Sequence, residues 1–545
     1  MTPLCSPLCV RSHVVIVMPP LTHVRGRFGV PVVLILTIVL FLMANLGVGA
    51  SVGAKLVLAG GQVVNPPPLF SFSLGNSVHD MWQAGVYPLS IMIALFSGVW
   101  PYLKLLLMMF AWMAPVEMCS SEKRETLLMW LDALGKYSLV DAYVLVMMMV
   151  AFRFHIDLSE ESVVVDILVT PEFGFYGFLL GTMTSLAMGH IVLAFHRHAT
   201  ADYVIPAGGA STNVMSHVFT SESGVKFKLT TTCKVLTVLT LFGSIVLLGV
   251  GVTVESFNFE FKGAAGLVLP EPETSYSLLS LGKQIPLSVE DPDDFGIRWI
   301  EVTYYIFALG MPFGCLFVML CLFTIPLSTR AASRMFVLAE VANAWSAMEV
   351  FVISVVAALL EIEQFAGFII GDKCDGINKV LEAFLDKPLG GDDVCFDVVA
   401  TLGDESWYLF TGAALSTIVS YSMLQIGHIA LEDRYERYAG LEEEEEEGGG
   451  KKNLVTRLYN VGCLRCILYD EVGAGRVREL SGEGGEKEKE SWGEDGGEGE
   501  EEEEGGENGG IYASSMITGP RVNNPRRKKG MDEYAKGRVR GNHSL

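Results

Sequence analysis

The sequence lacks the signatures of the common catalytic and phosphate-binding sites. It contains no His-Glu-x-x-His, no Gly-x-Ser-x-Gly and no Walker phosphate loop, so no zinc protease, serine hydrolase or P-loop ATPase is indicated. Its only Cys-x-x-Cys is Cys463-Leu-Arg-Cys466, and one such pair does not make a zinc site. We therefore expect no enzyme, no metal and no cofactor. Because no phosphate loop is present, any energy that the protein uses has to come from an ion gradient, a partner ATPase or the downhill flow of a substrate.

The composition indicates a membrane protein. Half of the 545 residues are apolar and the mean hydropathy is +0.40, too hydrophobic for a soluble chain of this length. Much of the net charge of -23 sits in a Glu- and Gly-rich segment near 441–510. Such runs cannot bury enough apolar surface to offset chain ordering, so residues 435–545 are predicted to form a disordered cytoplasmic tail with a basic end. No nucleic-acid partner is expected.

Eight apolar runs are candidates to cross a bilayer as helices, which requires about 20 residues each. The third and seventh runs are short, so their ends are expected near the headgroups or against neighbouring helices. The predicted spans are 29–51, 86–115, 138–155, 174–196, 231–254, 300–327, 346–361 and 406–431. The fold class is an all-α polytopic membrane protein. Its predicted parts are a cytoplasmic N-terminal segment (1–28), a four-helix module (29–200), a cytoplasmic linker (201–228), a second four-helix module (229–434) and the tail (435–545).

The charges of the loops predict the orientation in the membrane. Basic residues follow the second, fourth and sixth runs, whereas the segment 156–173 carries five acids and no Lys or Arg. Because Lys and Arg mark cytoplasmic loops, both termini are predicted to be cytoplasmic, in a membrane that the sequence does not identify. The first run follows basic residues, as in a signal peptide. It is longer than the usual signal core and is interpreted as a retained helix.

Several landmarks occur twice in the same order, which predicts two related modules. The paired landmarks are Pro101 and Pro312, Tyr137-Ser138-x-x-Asp141 and Trp345-Ser346-x-x-Glu349, and Gly-His-Ile at His190 and at His428. Between the first two helices of each module, 52–85 and 255–299 contain alternating stretches that suit short strands, so small β-rich extracytoplasmic caps are predicted. Cys374 and Cys395 share one predicted outer loop and form a disulfide candidate if that side is oxidising.

Three stretches match motifs of a known family. They are "FSFSLGNSVHDMWQAGVYPLSIMIALFSGVWPYLKLLLMMFAW", "LDALGKYSLVDAYVLV" and "ANAWSAMEVFVI". With them, the chain resembles the paraquat-inducible protein A family of integral membrane proteins over about 29–430. It departs from the family pattern at Tyr137, Cys315 and Glu349, where Trp, Lys and Asp are usual, and it lacks paired zinc ribbons. The resemblance implies a doubled four-helix plan and a role in moving membrane lipid, alongside a partner protein on the extracytoplasmic side.

The acids of the two Ser-x-x-acid motifs have two explanations. At a helix start this spacing is a capping-box pattern that satisfies orphan backbone N–H groups. Alternatively, Asp141 meets His190, and Glu349 meets His428, just inside the cytoplasmic face. Such acid–imidazole pairs exchange protons near physiological pH and mark transport paths. Otherwise each His is an interfacial group satisfied by water or headgroups.

Lys104 and the helix prolines are the remaining candidates. Lys104 sits about 16 Å into the bilayer at 1.5 Å per residue. A Lys there costs about 3 kcal/mol unless it snorkels, faces a polar cavity or pairs with an acid. Pro101 and Pro312 free backbone carbonyls and are candidates to bend their helices and open a pocket beside Ser138 and Ser346; tolerated kinks are the alternative.

Two functions stay open at this point. The resemblance favours a protein that handles membrane lipid, with coupling to the proton gradient through Lys104, Asp141 or His190. The alternative is a non-transporting, tetraspan-like scaffold or regulatory subunit, in which neutralising these three residues changes no activity.

Overall fold

The computed structural model describes residues 25–58, 62–64, 67–68, 70–83, 85–115, 117–158, 163–200, 213–220, 226–262, 266, 272–359, 362, 397–438 and 469–471. In these ranges, eight helical units are long and apolar enough to cross a membrane, as predicted. In chain order, the first to eighth spans are Phe28–Leu46, Tyr87–Met113, Ser121–Ala151, Phe173–Ala199, Thr231–Thr253, Phe295–Thr324, Thr329–Leu359 and Ser406–Leu431. Cys374, Cys395 and nearly all of the predicted tail lie outside the described residues.

The described α-helices are named in chain order. They are α1 (Arg25–Leu46), α2 (Leu74–Gln83), α3 (Tyr87–Ile93), α4 (Trp100–Met113), α5 (Ser121–Ala133), α6 (Val140–Ala151), α7 (Phe173–Thr200), α8 (Thr231–Thr253), α9 (Leu278–Leu287), α10 (Phe295–Tyr305), α11 (Met311–Thr324), α12 (Thr329–Trp345), α13 (348–359) and α14 (Ser406–Tyr438). All of them except α2 and α9 belong to the spans.

The third and seventh spans are longer than predicted, and each is interrupted. In the third, α5 leads through a 3-10 turn, Gly135–Leu139, into α6. In the seventh, α12 ends at Trp345 and α13 starts at 348. Sequence analysis detected only the apolar halves, because α5 and α12 carry most of the charged residues of these spans. The breaks are held by neighbours: the Trp100 indole N–H donates to the Leu134 carbonyl at 3.0 Å, and the Ala347 N–H donates to the Phe307 carbonyl at 3.1 Å.

A π-helical turn precedes the proline in the second span and again in the sixth span. The turns are Ala94–Val99 before Pro101 and Ile306–Gly310 before Pro312. A proline has no N–H, and its ring clashes with the carbonyl four residues earlier, which a wider turn relieves. Around the first turn, the freed Ser97 carbonyl accepts a hydrogen bond from Asn45 Nδ2 at 3.4 Å.

The two halves of the chain pack in the same way. The first span lies against the fourth, and the fifth lies against the eighth, with the second and sixth spans beside the first and fifth. The pattern of contacts between the helices is therefore consistent with a doubled module. The two interrupted spans meet between the halves, where Ser354 Oγ donates to the Val140 carbonyl at 3.2 Å.

Antiparallel sheets cover both ends of the helices. The strands are β1 (Ala50–Leu58), β2 (Gln62–Val64), β3 (Phe70–Phe72), β4 (Phe154–Leu158), β5 (Val163–Pro171), β6 (Val218–Thr220), β7 (Lys226–Leu229), β8 (Phe257–Lys262), β9 (Glu273–Tyr276), β10 (Asp397–Leu402) and β11 (Tyr469–Glu471). One sheet has the order β2-β1-β5-β4 with β3 on β1, and another has the order β10-β8-β9. We call the end of the spans that carries these two sheets the sheet end, and the end with the turns after Met113 and Thr324 the turn end.

A third sheet, β11-β7-β6, lies at the turn end. Its strand β11 belongs to the predicted tail and pairs with β7 of the predicted linker. Tyr469 is buried there, with its ring 5.1 Å from that of Phe227. The expected disorder of the whole tail therefore does not hold for these three residues.

Candidate functional site

Lys104 is buried inside the first module and does not snorkel. Its side chain is 1% exposed, and its Nζ donates to the Ser185 carbonyl of the fourth span at 3.2 Å. Gly135, in the break of the third span, leaves the space for this ammonium group, because a Cβ there would overlap it. Asp132 is its electrostatic partner. A buried lysine with a carboxylate nearby avoids much of the cost of a charge in the membrane interior.

The acid that meets His190 is Asp132. Its Oδ2 lies 3.1 Å from His190 Nδ1, and Gly189 permits the approach, since a Cβ there would lie 2.7 Å from Asp132 Oδ1. The expected pairing of Asp141 with His190 is therefore wrong. The third span begins at Ser121, so Asp132 lies about 16 Å and Asp141 about 30 Å from the turn end at 1.5 Å per residue. We call Lys104, Asp132 and His190 the polar cluster.

The second copy of the expected pairing is also wrong. Glu349 forms an ion pair with Lys136 of the first module. His428 instead packs against Phe336, with ring centroids 6.1 Å apart, and is electrostatically coupled to Glu340. In both copies the acid near the imidazole stands nine residues before the acid chosen from the sequence. Asp132 takes the place expected for Asp141, and Glu340 takes the place expected for Glu349.

Ion pairs of low exposure join the modules beside the polar cluster. Arg197, 6% exposed, binds both oxygens of Glu340 at 2.7 and 3.0 Å and reaches Glu125 at 3.3 Å. Lys136 pairs with Glu349 and donates to the Asn343 carbonyl at 3.3 Å. We call Arg197–Glu340 and Lys136–Glu349 the inter-module ion pairs. Two-point Arg–carboxylate geometry of this kind fixes orientation as well as distance.

The aromatic residues of the repeated motifs stack on the π-helical turns. Phe96 stacks on Tyr137 at 5.6 Å, and Phe307 stacks on Trp345 at 5.3 Å. Trp345 also stacks on the His190 ring, at 6.3 Å, so a ring of the second module covers the polar cluster of the first. Asp132 Oδ1, His190 Nε2 and Trp345 Nε1 are buried without a hydrogen-bond partner in the described part of the chain. Buried polar atoms of this kind carry a free-energy cost and commonly have a functional explanation.

An apolar cavity of about 220 Å³ opens at the sheet end of the first module. Side chains of the first, third and fourth spans, of α2 and of the sheet line it. Among the described residues that line it, Asp141 is the one with a charge, and Asn45, Ser73 and Ser77 are the other polar ones. A water needs only about 10–15 Å³ on this measure, so the space suits an organic group, and the apolar walls disfavour water.

The four remaining candidates lie apart from this cavity. Ser138 is buried in the 3-10 turn of the third span, and no side chain caps α6, so the capping-box explanation is wrong there. Ser346 lies at the break of the seventh span. Pro101 and Pro312 follow the π-helical turns and do not line the cavity.

Asp132, Glu340 and Arg197 were missed in the sequence. A usable signal existed, because Asp132 and Glu340 each stand five residues before the aromatic residue of the repeated motif. The choice of the later acid followed from assuming that each span starts at its first apolar residue. No group of three or more His, Cys, Asp or Glu suited to a metal ion occurs among the residues that the structure describes.

Comparison with known proteins bears on the same segments. The family model described as paraquat-inducible protein A matches residues 71–190 and 295–374. The first match contains the whole polar cluster and Asp141, and the second contains Glu340 and Glu349. The two matches confirm the family indicated by the sequence motifs and are consistent with a doubled module. The chain matches no curated protein and no solved structure.

Proposed function

The chain is a membrane protein of the paraquat-inducible protein A family, and from this premise we propose that it moves membrane lipid, with the apolar cavity as the lipid site. The observation that carries the proposal is the cavity itself, about 220 Å³ with apolar walls and one carboxylate. Transfer of hydrocarbon into such a space is favourable by about 25 cal/mol per Å² of apolar surface removed from water. We further propose that both termini are cytoplasmic, that the two sheets of the sheet end lie outside, and that an extracytoplasmic protein receives or delivers the lipid.

The polar cluster is the proposed site of coupling to protons. Asp132 Oδ2 and His190 Nδ1 lie 3.1 Å apart, within reach of a direct proton transfer, and Lys104 adds a second basic group beside them. The cluster and the cavity lie on the same interrupted third span, Asp132 before the 3-10 turn and Asp141 after it. A proton gained or lost at Asp132–His190 changes the charge next to the break and is the proposed trigger for opening or closing the cavity.

The experiment measures transfer of a fluorescent phospholipid by the purified full chain in liposomes. Val144 lines the cavity, so Val144→Trp fills it, whereas Leu239 is 61% exposed on the fifth span and Leu239→Trp serves as the matched control. We expect Val144→Trp to transfer lipid no faster than empty liposomes and the control to match the wild type. Thermal unfolding of each variant separates blocked transfer from misfolding, because overpacking costs about 1–3 kcal/mol.

A second arm tests the coupling. His190→Gln and Asp132→Asn are compared with the wild type with and without a pH gradient. We expect acceleration by the gradient in the wild type only. No transfer by the wild type under any gradient would contradict the proposal and favour the scaffold or regulatory alternative.

A further inference from the structure

Asp141 is a carboxylate that lacks a partner among the residues that the structure describes. It lines the apolar cavity and forms no ion pair or hydrogen bond with any residue that the structure describes. The buried Lys and Arg residues of the described part of the chain are already engaged: Lys104 with Ser185 and Asp132, Lys136 with Glu349, and Arg197 with Glu340 and Glu125. A carboxylate without a counter-charge in apolar surroundings is costly, so a positive group bound in the cavity would be favoured.

Asn45 adds a second acceptor to the same cavity wall. Its Nδ2 donates to the Tyr102 hydroxyl at 2.9 Å and to the Ser97 carbonyl at 3.4 Å. Both of its N–H groups are thereby engaged, which leaves the amide oxygen as the group open to a new hydrogen bond. The cavity wall therefore combines hydrocarbon with one anionic acceptor and the neutral acceptors of Asn45, Ser73 and Ser77, and none of the described lining residues is a cation. Such a lining matches an alkyl chain that carries several N–H donors at one end.

We propose that this cavity selects lipids that carry a primary ammonium group, which donates to the Asp141 carboxylate. The inference rests on the proposed lipid function and specifies its substrate class. A primary ammonium group offers three N–H donors and a positive charge, whereas a hydroxyl offers one donor and no charge. Charge-assisted hydrogen bonds are about twice as strong as neutral ones, and we expect a preference of about 10- to 100-fold over an uncharged lipid of equal chain length.

The first experiment uses matched single-chain probes on the full-length protein in detergent. Binding of dodecylamine, dodecanol and dodecyltrimethylammonium is measured by native mass spectrometry and by thermal stabilisation. We expect dodecylamine to bind about 10- to 100-fold more tightly than dodecanol, with the trimethylammonium compound between them because it has charge but no N–H. Equal binding of dodecylamine and dodecanol by the wild type would overturn the inference without any variant.

Variants then assign the preference to the carboxylate. Asp141→Asn keeps the shape and removes the charge, and it is expected to bind amine and alcohol equally, while Asp141→Glu keeps the preference. Asp404→Asn, at an exposed turn of the sheet end, is the control for loss of an acid and should behave as the wild type. A preference that persists in a folded Asp141→Asn would contradict the assignment.

Vesicles distinguish the sources of the ammonium group. Extraction of phosphatidylethanolamine ahead of phosphatidylcholine and phosphatidylglycerol assigns it to a phospholipid headgroup. Selection confined to the free alkylamine assigns it to a long-chain amine. Extraction of all three phospholipids at equal rates, with no amine preference, sinks the inference and leaves the lipid function standing, whereas binding of no probe and no phospholipid refutes the lipid function as well.

Discussion

Loss of the Arg197–Glu340 pair is expected to loosen the contact between the modules. Arg197 is 6% exposed and Glu340 is 24% exposed, and two hydrogen bonds of 2.7 and 3.0 Å join them. Removal of one partner from a buried pair costs about 3–5 kcal/mol, because the other charge stays buried. Glu125, 3.3 Å from Arg197 Nε, offsets part of this cost in Glu340→Gln. We therefore expect a loss of about 3 kcal/mol in the free energy of unfolding for that variant.

A double-mutant cycle isolates the pair. The free energies of unfolding of Arg197→Met, Glu340→Gln and the double variant are measured in mixed micelles by denaturant titration. We expect a coupling energy of about 2 kcal/mol, since the double variant leaves no unpaired arginine. The matched control is Arg298 and Glu301, a pair 2.9 Å apart in which Arg298 is 47% exposed. Exposed pairs give about 0.2–1 kcal/mol and weaken with salt.

The two cycles have to differ for the reasoning to hold. A coupling energy at Arg197–Glu340 no larger than that of the exposed control would show that the pair is hydrated in the protein. It would then not fix one module against the other.

Two further substitutions test the packing around the site and the tail. Gly189→Ala places a methyl group 2.7 Å from Asp132 Oδ1. It should displace the Asp132–His190 contact and lower the unfolding temperature. In the control, Gly243→Ala, the new methyl group meets no atom within 4 Å, and the substitution should be neutral or stabilising by up to about 1 kcal/mol. Tyr469→Ala removes the buried ring that packs on Phe227 and should release β11 from β7. The release should be seen as faster amide hydrogen exchange at residues 226–229. Unchanged exchange there would mean that β7 is protected without β11.

The eight spans could be predicted because a bilayer requires long apolar runs, and length and hydropathy are directly readable. The interruptions of the third and seventh spans could not be read in the same way. Their first halves, α5 and α12, carry charges, of which Glu125 and Glu340 pair with Arg197 of another span, so each half looks like a loop in the sequence. The π-helical turns were signalled by Pro101 and Pro312, although the sequence suggested bends in general and not this particular geometry.

The residues of the candidate site were recognised more reliably than their partners. Lys104 and His190 lie in the polar cluster, and Asp141 lies in the cavity, but the sequence placed Asp141 with His190 at one depth. Depth depends on where a helix begins, which the hydropathy of the third span did not show. Partners across the modules, such as Glu340 for Arg197, depend on tertiary packing that no local pattern encodes.

Charged side chains link the first four spans to the last four. In the first module, Asp132 has Lys104 and His190 beside it, so its charge is balanced within the module. In the second module, Cys315 stands at the position of Lys104, and its thiol can supply no positive charge; its Sγ contacts the Ala339 carbonyl at 3.7 Å. The equivalent acid, Glu340, takes its cation from Arg197 of the first module. The departure at Cys315 is therefore compensated across the interface, and the charge at the first module's turn end is tied to the position of the second.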